Sequence, residues 1–109
     1  MPILRTFLDN TVKSDFLLSY DVNTEDKAGR KRLRKVAKSC VDYGQRVQYS
    51  VFELRLTETQ LEVLRQKLLG IIDEEKDSLR IYSLPGGRAK CVEVHGKDVY
   101  EDPEEPLLV

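Results

Sequence analysis

One alternating stretch decides the fold: Arg46-Val47-Gln48-Tyr49-Ser50-Val51-Phe52-Glu53-Leu54-Arg55-Leu56. Apolar and polar residues alternate along it with the period of two that is typical of a β-strand with one buried face. The stretch is long for a single strand. It therefore predicts either one long strand or two short strands that meet near Tyr49-Ser50.

The residues that follow predict a helix and then another strand. Thr57 and Gln60 have the spacing of a capping box, which opens a helix. Leucines recur beyond it at helical spacing and form the stripe that faces the core: Leu61, Leu64 and Leu68. Residues 79–84 then have the composition of a strand, and Pro85-Gly86-Gly87 ends it.

The residues that precede the stretch predict a strand followed by a helix. Residues 16–22 are mostly apolar, as expected of a short buried strand. Asp26 is a suitable helix N-cap, and Gly44 is a suitable stop at the other end. Apolar residues recur between them at helical spacing and predict the buried face: Leu33, Val36, Ala37, Cys40 and Val41.

The order of these elements, β-α-β-β-α-β, predicts an α+β fold, the ferredoxin-like sandwich, with helices on one face of a sheet and the other face bare. An additional C-terminal strand is predicted at residues 90–95. The chain divides into an N-terminal extension at 1–15, a ferredoxin-like domain at 16–96 and a C-terminal tail at 97–109. A bare sheet face and an extra strand favour pairing with a second copy, so we expect a homodimer.

Length and composition describe one ordinary globular domain. The chain has 109 residues, of which 40% are apolar and 34% charged, and this excludes a disordered protein. Cys40 and Cys91 share no metal-ligand or redox spacing, so we interpret both as reduced core thiols. Residues 1–10 lack the apolar run of a secretion signal, and no stretch is long enough to cross a bilayer. We therefore expect a cytoplasmic protein without a membrane partner.

The charges are distributed unevenly. The net charge is −1, yet one basic segment contains a single acid, Asp42. Its cations are Lys27, Arg30, Lys31, Arg32, Arg34, Lys35, Lys38 and Arg46. The near absence of interleaved acids favours a phosphate-binding surface, and a solvated, salt-bridged helix face is the alternative.

Asp21 is the first candidate for chemistry, because it ends the predicted first strand, where α/β folds commonly place ligands. A single carboxylate is too small a ligand set for Mg²⁺ unless phosphate, water or a second copy completes it. Two carboxylates about 4 Å apart repel by roughly 4 kcal/mol at an effective dielectric constant of about 20, and a shared cation relieves that repulsion. The alternative, which position alone favours, is local: Asp21 hydrogen-bonds the backbone of the next turn.

The other candidates are weaker. Tyr20 lies beside Asp21, and Ser50 and Phe52 share one face of the alternating stretch. Core packing is the better interpretation of Tyr20 and Phe52 from composition alone. His95 is the only histidine, which argues against a paired-histidine metal site and against a Ser-His-Asp triad. The chain has no P-loop and no dinucleotide fingerprint.

Four segments, in this order, resemble one known family. They are Ser19-Tyr20-Asp21-Val22, Gly29-Arg30-Lys31-Arg32-Leu33-Arg34-Lys35-Val36-Ala37-Lys38, Tyr43-Gly44-Gln45-Arg46-Val47-Gln48-Tyr49-Ser50-Val51-Phe52-Glu53 and Asp77-Ser78-Leu79-Arg80-Ile81-Tyr82. By these segments the chain resembles the small CRISPR-associated adaptation endonucleases, the non-integrase partner in spacer acquisition. It looks most similar to members from subtype I-C systems.

The resemblance implies a homodimer in which the two Asp21 side chains face one another and share Mg²⁺, with Mn²⁺ as an alternative ion. It implies endonuclease activity on double-stranded DNA or single-stranded RNA, and a bridging role with the CRISPR integrase. Its implied catalytic residues are Asp21, Tyr20, Ser50 and Phe52, with Asp21 as metal ligand. Arg32, Arg34 and Arg46 carry over as supporting positions, and Arg30 and Lys38 from the basic segment complete the predicted nucleic-acid-binding set.

Other functions stay open beside the nuclease. One is a non-catalytic dimeric scaffold that bridges the integrase and duplex DNA, and the lack of an obvious general base near Asp21 argues for it. A toxin-type messenger ribonuclease would share the same fold and aspartate. A regulatory ferredoxin-like domain that binds a small molecule is a fourth possibility.

Overall fold

The structure, a computed structural model, describes residues 11–102. Its elements are β1 (Lys13–Asp21), α1 (Lys27–Val41), β2 (Gly44–Gln48), β3 (Val51–Thr57), α2 (Glu58–Leu69), β4 (Ser78–Ser83) and α3 (Arg88–Cys91). The four strands form one antiparallel sheet in the order β2-β3-β1-β4. This topology confirms the predicted ferredoxin-like α+β fold. Residues 1–10 of the predicted extension and 103–109 of the predicted tail lie outside the described range.

The alternating stretch forms two strands, β2 and β3, which are joined by a turn at Tyr49-Ser50. The second of the two predicted alternatives is therefore confirmed. β3 pairs with β1 so that Phe52 lies opposite Leu18 and Leu54 lies opposite Phe16. These four side chains are buried on the face that the helices cover, and they fix the register of the two central strands.

The two long helices begin at the predicted caps. The Asp26 carboxylate accepts a hydrogen bond from the Gly29 N–H at 2.7 Å. Thr57 and Gln60 make both hydrogen bonds of the capping box. α1 ends before Gly44, which begins β2 instead of stopping the helix. Among residues 11–102, no helix has the length and apolar character that crossing a membrane requires.

The core lies between the sheet and these two helices. Its fully buried side chains are Leu18, Val36, Cys40, Phe52, Leu54, Leu64 and Leu68. Val41 was predicted to join them, but it is 56% exposed because the helix ends there. Each fully buried Leu or Phe contributes about 1.5–3 kcal/mol. The C-terminal end of β1 is consequently held by well-packed structure on its helix-covered side.

The predicted C-terminal strand at residues 90–95 is wrong for the described part of the chain. Arg88–Cys91 form one helical turn, α3, and residues 92–95 pair with no strand between 11 and 102. The reason is that Arg88 anchors this segment over the sheet face. Its N–H donates to the Asp15 carboxylate at 2.8 Å, and its guanidinium binds the Glu53 carboxylate. The segment therefore runs across the face and not along an edge.

The sheet face opposite the helices is accordingly not bare. We call residues 88–102 the C-terminal strap. Within it Arg88 pairs with the Asp98 carboxylate at 3.0 Å and lies 3.9 Å from the centre of the Tyr100 ring. Glu53, on β3 beneath the strap, is only 6% exposed. Strap and sheet together line a cleft of about 240 Å³ that reaches Leu17.

The two cysteines occupy different environments. Cys40 lies in the core, and burial raises the pKa of its thiol to about 12. Cys91 is exposed on α3, and its thiol donates a hydrogen bond to the Pro85 carbonyl oxygen at 3.1 Å. The prediction of two core thiols is thus confirmed for Cys40 and wrong for Cys91, because the strand that would have buried Cys91 does not form.

Candidate functional site

Asp21 is the last residue of β1 and lies opposite Ser78 of β4. Tyr20, the residue before it, is buried on the helix-covered face, so the alternation of the strand directs Asp21 to the other face. The Asp21 side chain is exposed. Its carboxylate makes no hydrogen bond or ion pair with any residue between 11 and 102. A rigid strand end therefore presents an unpaired negative charge to solvent.

The local alternative for Asp21 is wrong, because its neighbours fill that role. The Asn23 side-chain oxygen accepts a hydrogen bond from the Glu25 N–H at 2.9 Å, and Asp26 caps α1. Gly29 packs so closely on this loop that an added Cβ would lie 1.9 Å from the Asn23 carbonyl oxygen. The loop between β1 and α1 is ordered without any contribution from the Asp21 carboxylate.

A buried carboxylate holds this loop from the start of β4. Asp77 accepts hydrogen bonds from the Asn23 N–H at 3.0 Å and the Asp73 N–H at 2.9 Å. It also pairs with the Arg32 guanidinium through Nε at 2.8 Å and a terminal nitrogen at 3.3 Å. The Asp77 side chain is fully buried, and the hydrogen bonds, above all from Arg32, hold the pKa of its carboxyl below the ordinary value. We call Asp77, Arg32, Asn23 and Asp73 the Asp77 clamp.

The clamp separates Arg32 from the rest of the predicted nucleic-acid-binding set. The Arg32 side chain is 16% exposed and engaged by Asp77, whereas Arg34 and Lys38 are exposed and make no salt bridge within residues 11–102. Arg30 is exposed, and its guanidinium donates to the Thr24 carbonyl oxygen at 3.3 Å. The helical spacing places most of the cations of α1 on one surface, which we call the basic face: Lys27, Arg30, Lys31, Arg34 and Lys38.

The remaining predicted residues gather at the β2–β3 turn. Tyr20 and Phe52 are 4% and 0% exposed, with ring centres 6.2 Å apart, which confirms that both pack in the core. The Arg46 guanidinium lies 5.2 Å from the centre of the Phe52 ring and 5.8 Å from that of Tyr49. The Ser50 carbonyl oxygen accepts a hydrogen bond from the Tyr20 N–H at 3.2 Å. Tyr20 and Phe52 thus support the end of β1 from inside, and Ser50 borders it at the surface.

Asp21 fits one half of a magnesium site. Carboxylate oxygens are the ligands that Mg²⁺ prefers in proteins, and this carboxylate is exposed. Within residues 11–102, however, no group of three or more His, Cys, Asp or Glu side chains is placed to hold a metal ion. The described residues therefore supply Asp21 as one ligand and do not complete such a site.

Two long-range interactions were missed by sequence reasoning. Asp77 begins one of the quoted segments, and an acid directly before a predicted strand was the available signal. Glu53 occupies an ordinary polar position in the alternating stretch, so no local signal pointed to its burial or to its partner Arg88. Neither partner is visible in the sequence, because each pair joins residues far apart along the chain.

Comparison with known proteins gives consistent matches over most of the chain. The family model described as CRISPR associated protein Cas2 matches residues 15–90. The chain is 50% identical over 93 residues to the CRISPR-associated endoribonuclease Cas2 1 of Moorella thermoacetica, which covers 85% of this chain and 97% of the relative. It is 53% identical over 92 residues to the CRISPR-associated endonuclease Cas2 of Halalkalibacterium halodurans, and the match covers 84% of this chain and 96% of the relative. The crystal structure of Streptococcus pyogenes Cas2 at pH 6.5 matches with a TM-score of 0.67 and 54% identity, over 75% of this chain and 99% of that one.

Proposed function

The chain belongs to the CRISPR-associated protein Cas2 family, and on that premise we propose that it is a metal-dependent endonuclease of CRISPR adaptation that acts as a homodimer. The observation that carries the proposal is the unpaired, exposed carboxylate of Asp21 at the end of a rigid strand. The neighbouring carboxylates of Asp26 and Asp77 are both used to build the loop. The names of the relatives, endoribonuclease and endonuclease, support nuclease chemistry.

Two copies are needed because each chain supplies one carboxylate. Asp21 of each protomer would hold Mg²⁺, or Mn²⁺, between the two chains, and the cation would offset the repulsion of the paired negative charges. When bound, the ion supplies Lewis acidity at a phosphoryl oxygen and lowers the pKa of a coordinated water. Other residues of the chain do the positioning.

The Asp77 clamp keeps the backbone after Asp21 fixed, so the carboxylate does not have to reorganise during the reaction. The basic face of α1 would hold the phosphodiester backbone. Since phosphate contacts do not read bases, cleavage should depend little on sequence. Within residues 11–102, no His or carboxylate cluster offers a general base beside Asp21, so turnover should be slow.

The test is digestion of plasmid DNA and of single-stranded RNA, each with Mg²⁺ and with chelator. Asp21→Asn keeps the shape of the side chain and removes its charge, and it should reduce cleavage at least about 100-fold, the scale on which loss of one electrostatic group acts. Asp42→Asn, an exposed aspartate at the opposite end of α1, is the matched control and should keep activity within about twofold. Cleavage that persists in chelator, or in Asp21→Asn, would exclude this mechanism.

A second candidate is a non-catalytic scaffold that bridges duplex DNA and the CRISPR integrase. The observation in its favour is the missing general base, since the single histidine, His95, is 84% exposed and contacts only Glu93 within the described residues. Spacer acquisition in cells distinguishes the two candidates. If Asp21→Asn supports acquisition at the wild-type frequency while neutralising Arg34 and Lys38 abolishes it, the scaffold is the better account. We also expect the tail residues 104–109 to contact the integrase, and these residues lie outside the described range.

A further inference from the structure

Tyr49 is an aromatic residue that is exposed and yet held in place. Its side chain is 79% exposed, more than any other large apolar side chain of residues 11–102. The Arg46 guanidinium lies 5.8 Å from the centre of its ring and 5.2 Å from that of buried Phe52. At distances below about 6 Å, a cation over a ring is attracted to the electron-rich face of that ring. One face of the Tyr49 ring is therefore supported by the protein, and the exposed fraction leaves the other face to solvent.

The ring lies next to the end of β1 that carries Asp21. Tyr49 and Ser50 form the β2–β3 turn, and the Ser50 carbonyl oxygen accepts the Tyr20 N–H at 3.2 Å. Tyr20 is joined to Asp21 by one peptide bond. The turn that presents Tyr49 therefore lies beside the strand end that carries Asp21.

The charge around the ring suits a nucleic acid better than a basic or purely apolar partner. Residues 46–52 contain no acid, and their one charge is the Arg46 cation. β2, which carries Arg46, packs against α1, the helix that carries the basic face. A flat aromatic surface beside phosphate-binding cations is the combination with which proteins bind single strands, because every base offers a face for stacking.

We propose that Tyr49 is a stacking platform for an unpaired nucleobase next to the scissile phosphate, with Arg46 supporting the ring from beneath. The inference rests on the proposed nuclease function and deepens it, since it assigns the substrate class. A base within a duplex is already stacked on both sides and cannot cover this ring without being displaced. The platform therefore selects single strands, or frayed and flipped positions, over continuous duplex.

The experiment measures binding in chelator, so that cleavage plays no part. Short single-stranded RNA, single-stranded DNA and duplex DNA of the same sequence are titrated by fluorescence anisotropy, and the single strands also carry 2-aminopurine, whose emission is quenched on stacking. The variants are Tyr49→Ala and Tyr49→Phe. The matched control is Tyr82→Ala, which removes another exposed tyrosine, 44% exposed, whose hydroxyl contacts Arg80.

Tyr49→Ala should weaken single-strand binding by about 5- to 150-fold, the measured range for one base–aromatic stack, and should relieve the 2-aminopurine quenching. Duplex binding should change less than about twofold, and the salt dependence should stay the same because stacking releases no counterions. Tyr49→Phe should bind like the wild type, since the ring is kept, and so should Tyr82→Ala. Equal losses of affinity for single-stranded RNA and single-stranded DNA would show that the ring contacts the base and not the sugar, as the proposal requires.

Three results would overturn the inference. Unchanged single-strand binding by Tyr49→Ala would exclude the stack, and equal losses for single strand and duplex would make the contact a general one. A change of sedimentation coefficient in Tyr49→Ala would place the ring in a contact between protein copies. If one of these results is found while the wild-type protein still binds nucleic acid and, with Mg²⁺, still cleaves it, the proposed nuclease stands and only the platform falls. Absence of all nucleic-acid binding by the wild type would refute both.

Discussion

Replacing Asp77 with alanine removes a fully buried carboxylate that joins β4 to the loop after Asp21. The change leaves the Asn23 and Asp73 N–H groups without their acceptor and the Arg32 guanidinium without its partner. An unsatisfied buried group costs about 1–3 kcal/mol, and breaking a buried ion pair costs about 3–5 kcal/mol. Both costs arise from the loss of the same carboxylate, so they are not additive. Water also reaches Arg32, which is 16% exposed, and this lowers the cost of leaving its charge unpaired.

We therefore expect a loss of about 2–4 kcal/mol in the free energy of unfolding, a large part of the roughly 5–15 kcal/mol typical of a domain. At about 4–8 °C per kcal/mol for a domain of this size, the melting temperature should fall by roughly 10–25 °C. Urea unfolding followed by far-ultraviolet circular dichroism measures the change. Glu62→Ala, which removes the partner of Arg65 in an exposed pair, is the control and should cost less than about 0.5 kcal/mol. If Asp77→Ala cost no more than Glu62→Ala, the clamp would not be a stabilising feature.

The pH dependence of stability gives a second measurement on the same group. The hydrogen bond from Arg32 lowers the pKa of the Asp77 carboxyl in the folded protein. Because this pKa is lower in the folded protein than the unfolded value of about 3.9, the ionised carboxylate contributes its full stabilisation above that unfolded value. The contribution disappears as the pH falls through the folded pKa. The stability difference between wild type and Asp77→Asn should therefore be constant near neutrality and should shrink below about pH 4. A difference that grows on acidification would contradict this assignment.

The basic face, the start of α1 and the two thiols give three more tests. Changing Lys31 and Lys38 to glutamine should lower the slope of log binding constant against log salt for duplex DNA by about 0.9 per lost phosphate contact, and an unchanged slope would remove the basic face from the interface. Gly29→Ala should cost about 1–3 kcal/mol in urea unfolding, because its Cβ would lie 1.9 Å from a carbonyl oxygen of the preceding loop; a neutral effect would mean that the loop yields freely. Cys91 should react rapidly with a thiol-specific disulfide reagent, whereas Cys40, whose pKa burial raises to about 12, should react only on unfolding; equal rates would contradict the packing.

Features that depend on neighbouring residues could be predicted from the sequence. The period of two located β2 and β3, and the length of the alternating stretch indicated a break between them near Tyr49-Ser50. The spacing of Thr57 and Gln60 located the start of α2, since a capping box involves residues only three apart. The same local signals identified Asp21 as the end of a strand, which is the position that makes it available to a ligand.

Features that depend on distant residues could not be predicted. Arg32 pairs with Asp77, 45 positions away, and nothing local distinguishes it from the other cations of α1. Residues 90–95 alternate like a strand, but a strand needs a partner edge, and Arg88 directs the segment across the sheet face. The period of the hydrophobic pattern shows which side chains share a face of a strand. It does not show which edge or face of the sheet that strand will pack against.

The uneven charge of α1 has a consequence for how molecules approach this protein. The helix carries seven positive charges and no negative one, so the rest of the chain, with a total of −1, carries −8. Such a molecule is an electric dipole. A polyanion that comes within a screening length of about 8–10 Å attracts one side and repels the other, which turns the protein before the surfaces touch. Most encounters should then begin on α1, and the rate of association should depend on the orientation of this field as much as on the contacts made afterwards.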